Sequence, residues 1–348
     1  QPISPQASSP LLYLARFFLP NQFPSPPPPP TLNFLFANNK ATIADLSGVK
    51  LLSAVCTSTD FSGCNMPGSV LTKCDLTAAN LSSVFAPKSD LNGTKLSAAT
   101  LVGAIFTSSL MANTSLVLAK ANKADFSSCD MRLADLTGCD LSNANLSGSN
   151  LGDSMLTESV MANTNLQNCK IACASLARVN ASEADFTGCD LSDSNLGGAT
   201  MTACIFDQAR LHRTCLLSAV LTRASLKGTF LNAGNLLSAV LNEAGMQTMR
   251  LSFAFLSSPT SFEDLSGASL READLNNASL NKAKLTQTDL TGSSLGGASF
   301  VNAQMAECVL ANCDMSASIL KGANLTSANL EGTKVSVIRA THAFLLLG

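Results

Sequence analysis

Ala124–Leu151 reads ADFSSCDMRLADLTGCDLSNANLSGSNL, and a single five-residue unit recurs through it. Each unit holds a small residue, an Asp or Asn, a large apolar residue and two small polar residues. The large residue, here called the centre, returns every five positions from Leu46 to Leu256 in 43 unbroken units. Of these centres 39 are Leu, Phe, Met or Ile; the exceptions are Cys56, Ala86, Ala121 and Ala181. A second block of 14 units runs from Leu265 to Leu330, and every centre in it is Leu, Phe or Met. A period of five matches neither the 3.6 of a helix nor the 2 of an ordinary strand. It suits a chain that takes a short extended step, turns a corner and steps again.

In an extended step, a residue and the one two before it point to the same side. The centre and the small residue therefore face inward together, and the residue between them faces out. That outward residue is repeatedly acidic or an amide, as at Asp125, Asp130, Asp135, Asp140, Asn145 and Asn150. The two residues after the centre form the corner. Of the 21 glycines, 15 occupy the second corner position, including Gly48, Gly138, Gly188, Gly267 and Gly322. A turn with positive φ accounts for that preference.

Short fixed-period repeats of this kind specify a solenoid. The units resemble the pentapeptide-repeat family, whose signature is A(D/N)LXX: ADLSG at Ala44–Gly48, ADLTG at Ala134–Gly138, ANLSG at Ala144–Gly148 and ANLTS at Ala323–Ser327. The match extends from Ala44 to Leu330. The resemblance implies an all-β, right-handed, four-sided parallel β-helix with four units per coil. That is about 14 coils, and at about 4.8 Å per coil a rod about 65 Å long. Residues twenty apart should then stack. The column through Leu46, Met66, Ala86, Phe106, Phe126, Phe186 and Phe206 holds all the central phenylalanines of the first block except Phe61. Stacked aromatic rungs are expected there.

Of the 348 residues 46% are hydrophobic and only 13% charged, with a net charge of −2. Globular proteins average about 25% charged; a narrow rod with Ser, Thr, Gly and Asn corners accounts for the shortfall. The near-zero charge argues against non-specific nucleic-acid binding, which needs a basic surface, and no nucleic-acid partner is expected. Nine of the 12 cysteines (Cys64, Cys74, Cys129, Cys139, Cys169, Cys189, Cys204, Cys308 and Cys313) stand at the small inward position. They read as reduced core filler, while pairs twenty apart such as Cys169 and Cys189 leave an inter-coil disulfide open. Their spacings fit no zinc pattern, and no metal or cofactor is expected.

The chain divides into a non-repeat arm (1–30), the repeat (31–334) and a tail (335–348). The arm carries LLYLARFFL at Leu11–Leu19 and five prolines at Pro26–Pro30. Such a proline run favours polyproline II and cannot join a sheet. The arm reads either as an extended segment or as an apolar tether on a stiff spacer; nine residues interrupted by Arg16 are too few to span a bilayer. Phe34 and Phe36 are expected to cover the open end of the spiral. The cell around Pro87, with Ala86 central and Phe85 outward, is expected to bulge. Between Leu256 and Leu265 the centres lie nine residues apart, a register slip near 257–264 read as a local kink or loop rather than a domain boundary. The tail, ending IRATHAFLLLG, is expected to cap the rod or to meet a partner.

No catalytic constellation is visible. His212 falls on a corner beside Arg213, His342 lies in the tail, and Gly197–Gly198 reads as a turn rather than a phosphate loop. Asp125, Asp130, Asp135 and Asp140 place one carboxylate on each face of one coil. Family members that confer quinolone resistance resemble B-DNA and bind type II topoisomerases. Here Lys50, Lys95, Lys120, Lys170, Arg210 and Arg250 also face out, which departs from a DNA-like surface. A set of apolar residues stands where Asp or Asn is usual, among them Val55, Val70, Phe85, Ile105, Leu110 and Met155. Val160, Ile205, Val220, Phe230, Val240 and Phe255 are the candidate protein contacts. The expected function is a non-catalytic structural or interaction scaffold in a larger assembly. The resemblance, to a family abundant in cyanobacteria and plastids, and the absence of an initiator Met point to a plastid, thylakoid-associated subunit; a cytoplasmic location is the alternative. Peripheral membrane attachment through the termini is also expected.

Overall fold

The computed structural model describes residues 41–43, 45–231, 235–236, 239–241, 244–246 and 264–336. Every unit in these segments repeats a single conformation, an extended step followed by a two-residue turn. The outward residues pair in parallel bridges twenty apart, from Asp45 with Asn65 through Cys215 with Asn235. Five-residue steps and a twenty-residue offset define a four-sided coil. The structure is therefore a parallel β-helix of square section.

Amide bookkeeping explains why the sequence repeats as it does. In each unit the centre N–H donates to the outward carbonyl of the next coil, as Leu46 does to Asn65 at 2.7 Å. The second corner N–H donates to the first-corner carbonyl above it (Gly48 to Pro67, 2.9 Å). The small residue closes the turn within its own chain segment (Val49 N–H to Leu46 C=O, 3.0 Å). The outward N–H donates to the coil below (Val70 to Val49, 2.7 Å). Only the first-corner amide lacks a backbone acceptor, and a lost partner for a backbone group is costly. The outward Asp or Asn supplies one: the Ser127, Thr137 and Ser142 amides donate to Asp125, Asp135 and Asp140 at 2.9, 3.0 and 3.0 Å. These are Asx turns, and they are the physical content of the acidic or amide position in the repeat.

Among the described residues the second corner residue has positive φ throughout, at 37 non-glycine residues as well as 15 glycines. Glycine is thus favoured there but not required. The inter-coil hydrogen bond from that residue holds even Ile43, Leu118 and Leu133 at φ 57–59°, against an intrinsic cost of about 1–2 kcal/mol for an L-residue.

Inside, the described centres are buried except Leu46 and Leu330, which are partly buried, and aromatic rungs form as expected. Phe106 stacks on Phe126 with centroids 5.8 Å apart, and Phe186 on Phe206 at 4.8 Å. Inward Ser, Thr and Cys side chains donate to the centre carbonyl of the preceding coil: Thr94 to Leu71 at 2.7 Å, Ser194 to Ile171 at 2.7 Å, Cys129 to Phe106 at 2.9 Å. Cysteine therefore acts here as a small hydrophobe and a weak donor at once. All 12 thiols are free, Cys169 and Cys189 included. Burial pushes the Cys139 and Cys204 thiols up to about 12.

One expectation changes. The cell at Pro87 does not bulge: Phe85 bridges Asn65 and Ile105 in normal register, and Lys88 has the usual turn φ of 55°. Proline has no N–H, so the corner needs no Asx acceptor and Phe85 leaves nothing unpaired. The slip lies within residues outside the described ones. On either side of it Val240 bridges Asp264 and Gly245 bridges Ser269, an offset of twenty-four. Twenty-four is five units less one residue, in keeping with the nine-residue spacing of Leu256 and Leu265, and the second block stacks on the first. Phe34, Phe36, the arm and His342 lie outside the described residues.

Candidate protein-interaction surface

Because the outward position alternates with buried ones, each face of the rod is a single column of outward side chains flanked by two corner columns. Asp125, Asp130, Asp135 and Asp140 do fall on four different faces of one coil. Their carboxylates are engaged with corner amides, and Asp130 is also gripped by the Arg132 guanidinium at 2.7 and 2.8 Å. That fork holds the Asp130 carboxyl below its usual range. Positive residues interrupt the same columns: Lys120 neighbours Asp140, and Asp190 stands between Lys170 and Arg210. Arg213 pairs with Asp193, and Arg178 with Glu158, each across one coil step at 2.6 Å. The surface is a mixed-charge lattice.

The candidate contact residues are divided among the faces. Val160, Val220 and Val240 share one column, with Val220 and Val240 in direct bridge and Asn180 and Thr200 separating them from Val160. Ile205 stands on the next face, between Asp185 and Ser225, and Phe230 on the one after, above Arg210. Phe255 lies outside the described residues. Val160, Ile205 and Phe230 are exposed, whereas Val220 and Val240 are half-buried. Where Val160 replaces Asp or Asn, the Ala162 amide finds no side-chain acceptor among the described residues. At Leu110 the outcome differs, because the Asn92 side chain accepts from the Ala112 amide at 2.9 Å.

Exposed apolar residues also occur at corners, where the repeat pattern suggested only turns. Leu52, Leu118, Leu133 and Leu217 are all exposed. The signal was available in the sequence: a large apolar side chain where Ser, Thr, Gly or Asn is usual. His212 is exposed on its corner beside Arg213. Among the described residues no cluster of His, Cys, Asp and Glu could hold a metal ion, and no helix is long and apolar enough to cross a membrane.

A continuous wall of stacked five-residue units, with its polar chemistry absorbed by its own turns, defines a repeat solenoid. The model of pentapeptide repeats matches in eight copies, at residues 44–77, 74–111, 96–138, 134–171, 169–208, 184–222, 264–297 and 298–336. The chain belongs to the pentapeptide-repeat family, and its fold is that family's right-handed β-helix. Among solved structures it is similar to HetL, a pentapeptide repeat protein involved in heterocyst differentiation regulation from the cyanobacterium Nostoc sp. That match has 28% identity and a TM-score of 0.38, over 59% of this chain and 88% of that one. QnrB1, a plasmid-mediated fluoroquinolone resistance protein, matches at 16% identity over 55% and 89% of the two chains, with a TM-score of 0.34. A pentapeptide repeat protein of the Arabidopsis thaliana thylakoid lumen matches at 24% identity over 43% and 70%, with a TM-score of 0.13. No curated protein matches the chain.

Proposed function

We propose that this protein is a non-catalytic interaction scaffold, a subunit or assembly factor of a larger complex. The observation that carries the reading is the replacement of turn-capping Asp or Asn by exposed apolar side chains. At Val160 the isolated chain gives up an Asx hydrogen bond and also exposes a hydrophobe. Each change is unfavourable in water and neither is required by the coil. Covering the side chain with a partner recovers the apolar contribution. In this reading the arm over 1–30 and the tail over 335–348 are further points of attachment, to a protein or to a membrane surface, and the assembly is plastid or thylakoid-associated. Replacing Val220 and Val240 together by Lys should abolish co-purification of the complex from the native source while leaving the β-rich circular dichroism unchanged. A complex that survives the double change overturns the contact surface, and fractionation of the native source tests the location.

The alternative is a DNA-like binder of a type II topoisomerase. The four-faced ring of Asp125, Asp130, Asp135 and Asp140 favours it. Its weakness is that these carboxylates are engaged with corner amides and interrupted by Lys120, Arg132 and Lys170. Inhibition of gyrase supercoiling by the purified chain would establish it.

A further inference from the structure

One stretch of the wall is neither flat nor evenly polar. Successive coils place Lys73, Gly93, Asn113 and Leu133 at the second turn position of one corner. Gly93 presents no side chain between its neighbours, and a groove of about 570 Å³ opens there, lined by Lys73, Asn92, Gly93, Leu110, Asn113 and Arg132 among others. From Lys73 to Arg132 it crosses three coil steps, about 14 Å, the reach of about four extended residues. Leu110 is 47% exposed on its flank. Asn92 accepts from the Ala112 amide, the group an Asp or Asn at 110 would otherwise hold. The corner is thus satisfied while position 110 is released to display an apolar group. Leu133, one coil further along, is 57% exposed at φ 59°. For a leucine in an isolated chain both the conformation and the exposure are unfavourable.

The charge of the groove is also set. Lys73 enters no ion pair among the described residues. Arg132 and Asp130, which also borders the groove, are spent on each other. The groove is left with a net positive charge on a chain of net charge −2.

Within the scaffold reading, on which it rests, we propose that this groove docks an extended acidic–apolar peptide segment of the partner protein. Leu110 in the groove and Leu133 outside its lining, next in sequence to Arg132, take the apolar side chains, and Lys73 takes the neighbouring carboxylate. Charge complementarity selects this occupant over a basic segment.

The test is selection of a random displayed peptide library on the full-length chain. Fluorescence anisotropy of the selected peptides then compares wild type, Leu110→Asn and Lys73→Glu. Leu110→Asn installs the residue the repeat normally carries, so the coil is preserved, and circular dichroism checks both variants. Selected peptides should carry Asp or Glu beside Leu or Phe. They should bind at least about tenfold more weakly to Lys73→Glu, with reduced salt dependence, and about fivefold more weakly to Leu110→Asn. No selected binders, basic binders, or equal binding to all three forms overturns the groove. If the native complex also co-purifies unchanged with both variants, the groove fails and the scaffold stands. If wild type retrieves no complex, the scaffold fails whatever the peptides do.

Discussion

The coil Asp125–Asp140 and the stack Val220–Val240 share a backbone and present opposite surfaces. The Asp125 amide reaches Ala104 at 2.8 Å and the Val220 amide reaches Ala199 at 2.8 Å. The turns at Asn143 and Arg223 both have φ 58°. Outside, one coil is a ring of carboxylates tied to corner amides, and the other a pair of stacked valines. The comparison teaches that four of the five amides in each unit are satisfied by neighbouring backbone, so the outward side chain decides only the fifth. A coil can therefore exchange its surface chemistry at a cost of about one hydrogen bond, roughly 0.5–1.5 kcal/mol. That latitude lets one wall carry acidic, basic and apolar stations without changing shape.

The comparison breaks hardest if the interior is touched. Phe126→Ala removes one ring of a stacked pair and leaves a void in a dense core, so it should destabilise by about 3–5 kcal/mol in urea unfolding. A loss no larger than that of an outward substitution would mean the core tolerates collapse and does not set the fold.

The next test separates the two surfaces. Asp140→Ala deletes the acceptor for the Ser142 amide and should cost about 0.5–1.5 kcal/mol. Val160→Asn should do the reverse, gaining about 0.5–1 kcal/mol by capping the Ala162 amide. The two changes should move the urea midpoint in opposite directions; movement in the same direction would show that the Asx turn is not what the outward residue contributes.

The smallest effect is in acid. Asp45 is held below the ordinary carboxylate range by the Ser47 hydroxyl and amide, Asp130 by the Arg132 guanidinium and Asp193 by that of Arg213. A depressed folded pKa gives stability that is present above the unfolded value of about 4 and is lost as pH falls through the folded one. Tm should hold level from neutrality to about pH 4 and decline below it. Replacing Asp45, Asp130 and Asp193 together by Asn should flatten the decline, and an unchanged acid limb would assign it to other carboxylates.

Most of the fold was legible because the repeat writes each constraint many times. Leu136, Leu141 and Leu146 must be inward and Ala134 and Cys139 must be small; the four-sided coil is what the family resemblance implies, and phenylalanines twenty apart support it. The candidate surface was less legible. That Val220 and Val240 stack follows from their spacing. That Ile205 and Phe230 stand on two other faces also follows from counting in steps of five. Leu133 and Leu118 are less legible because a corner position signals a turn and not the exposure of the side chain it carries.

By itself the sequence determined the winding of the chain, which residues fill its axis and which columns face out, because inward and outward alternate with the step and each coil closes after four corners. Only the tertiary structure decided which amide each outward side chain serves. It also decided why Phe85 fits beside Pro87, how Asn92 releases Leu110, and that the coil after Val240 is longer. Those outcomes depend on a partner one coil away, and no local pattern of five residues contains the contact between one coil and the next.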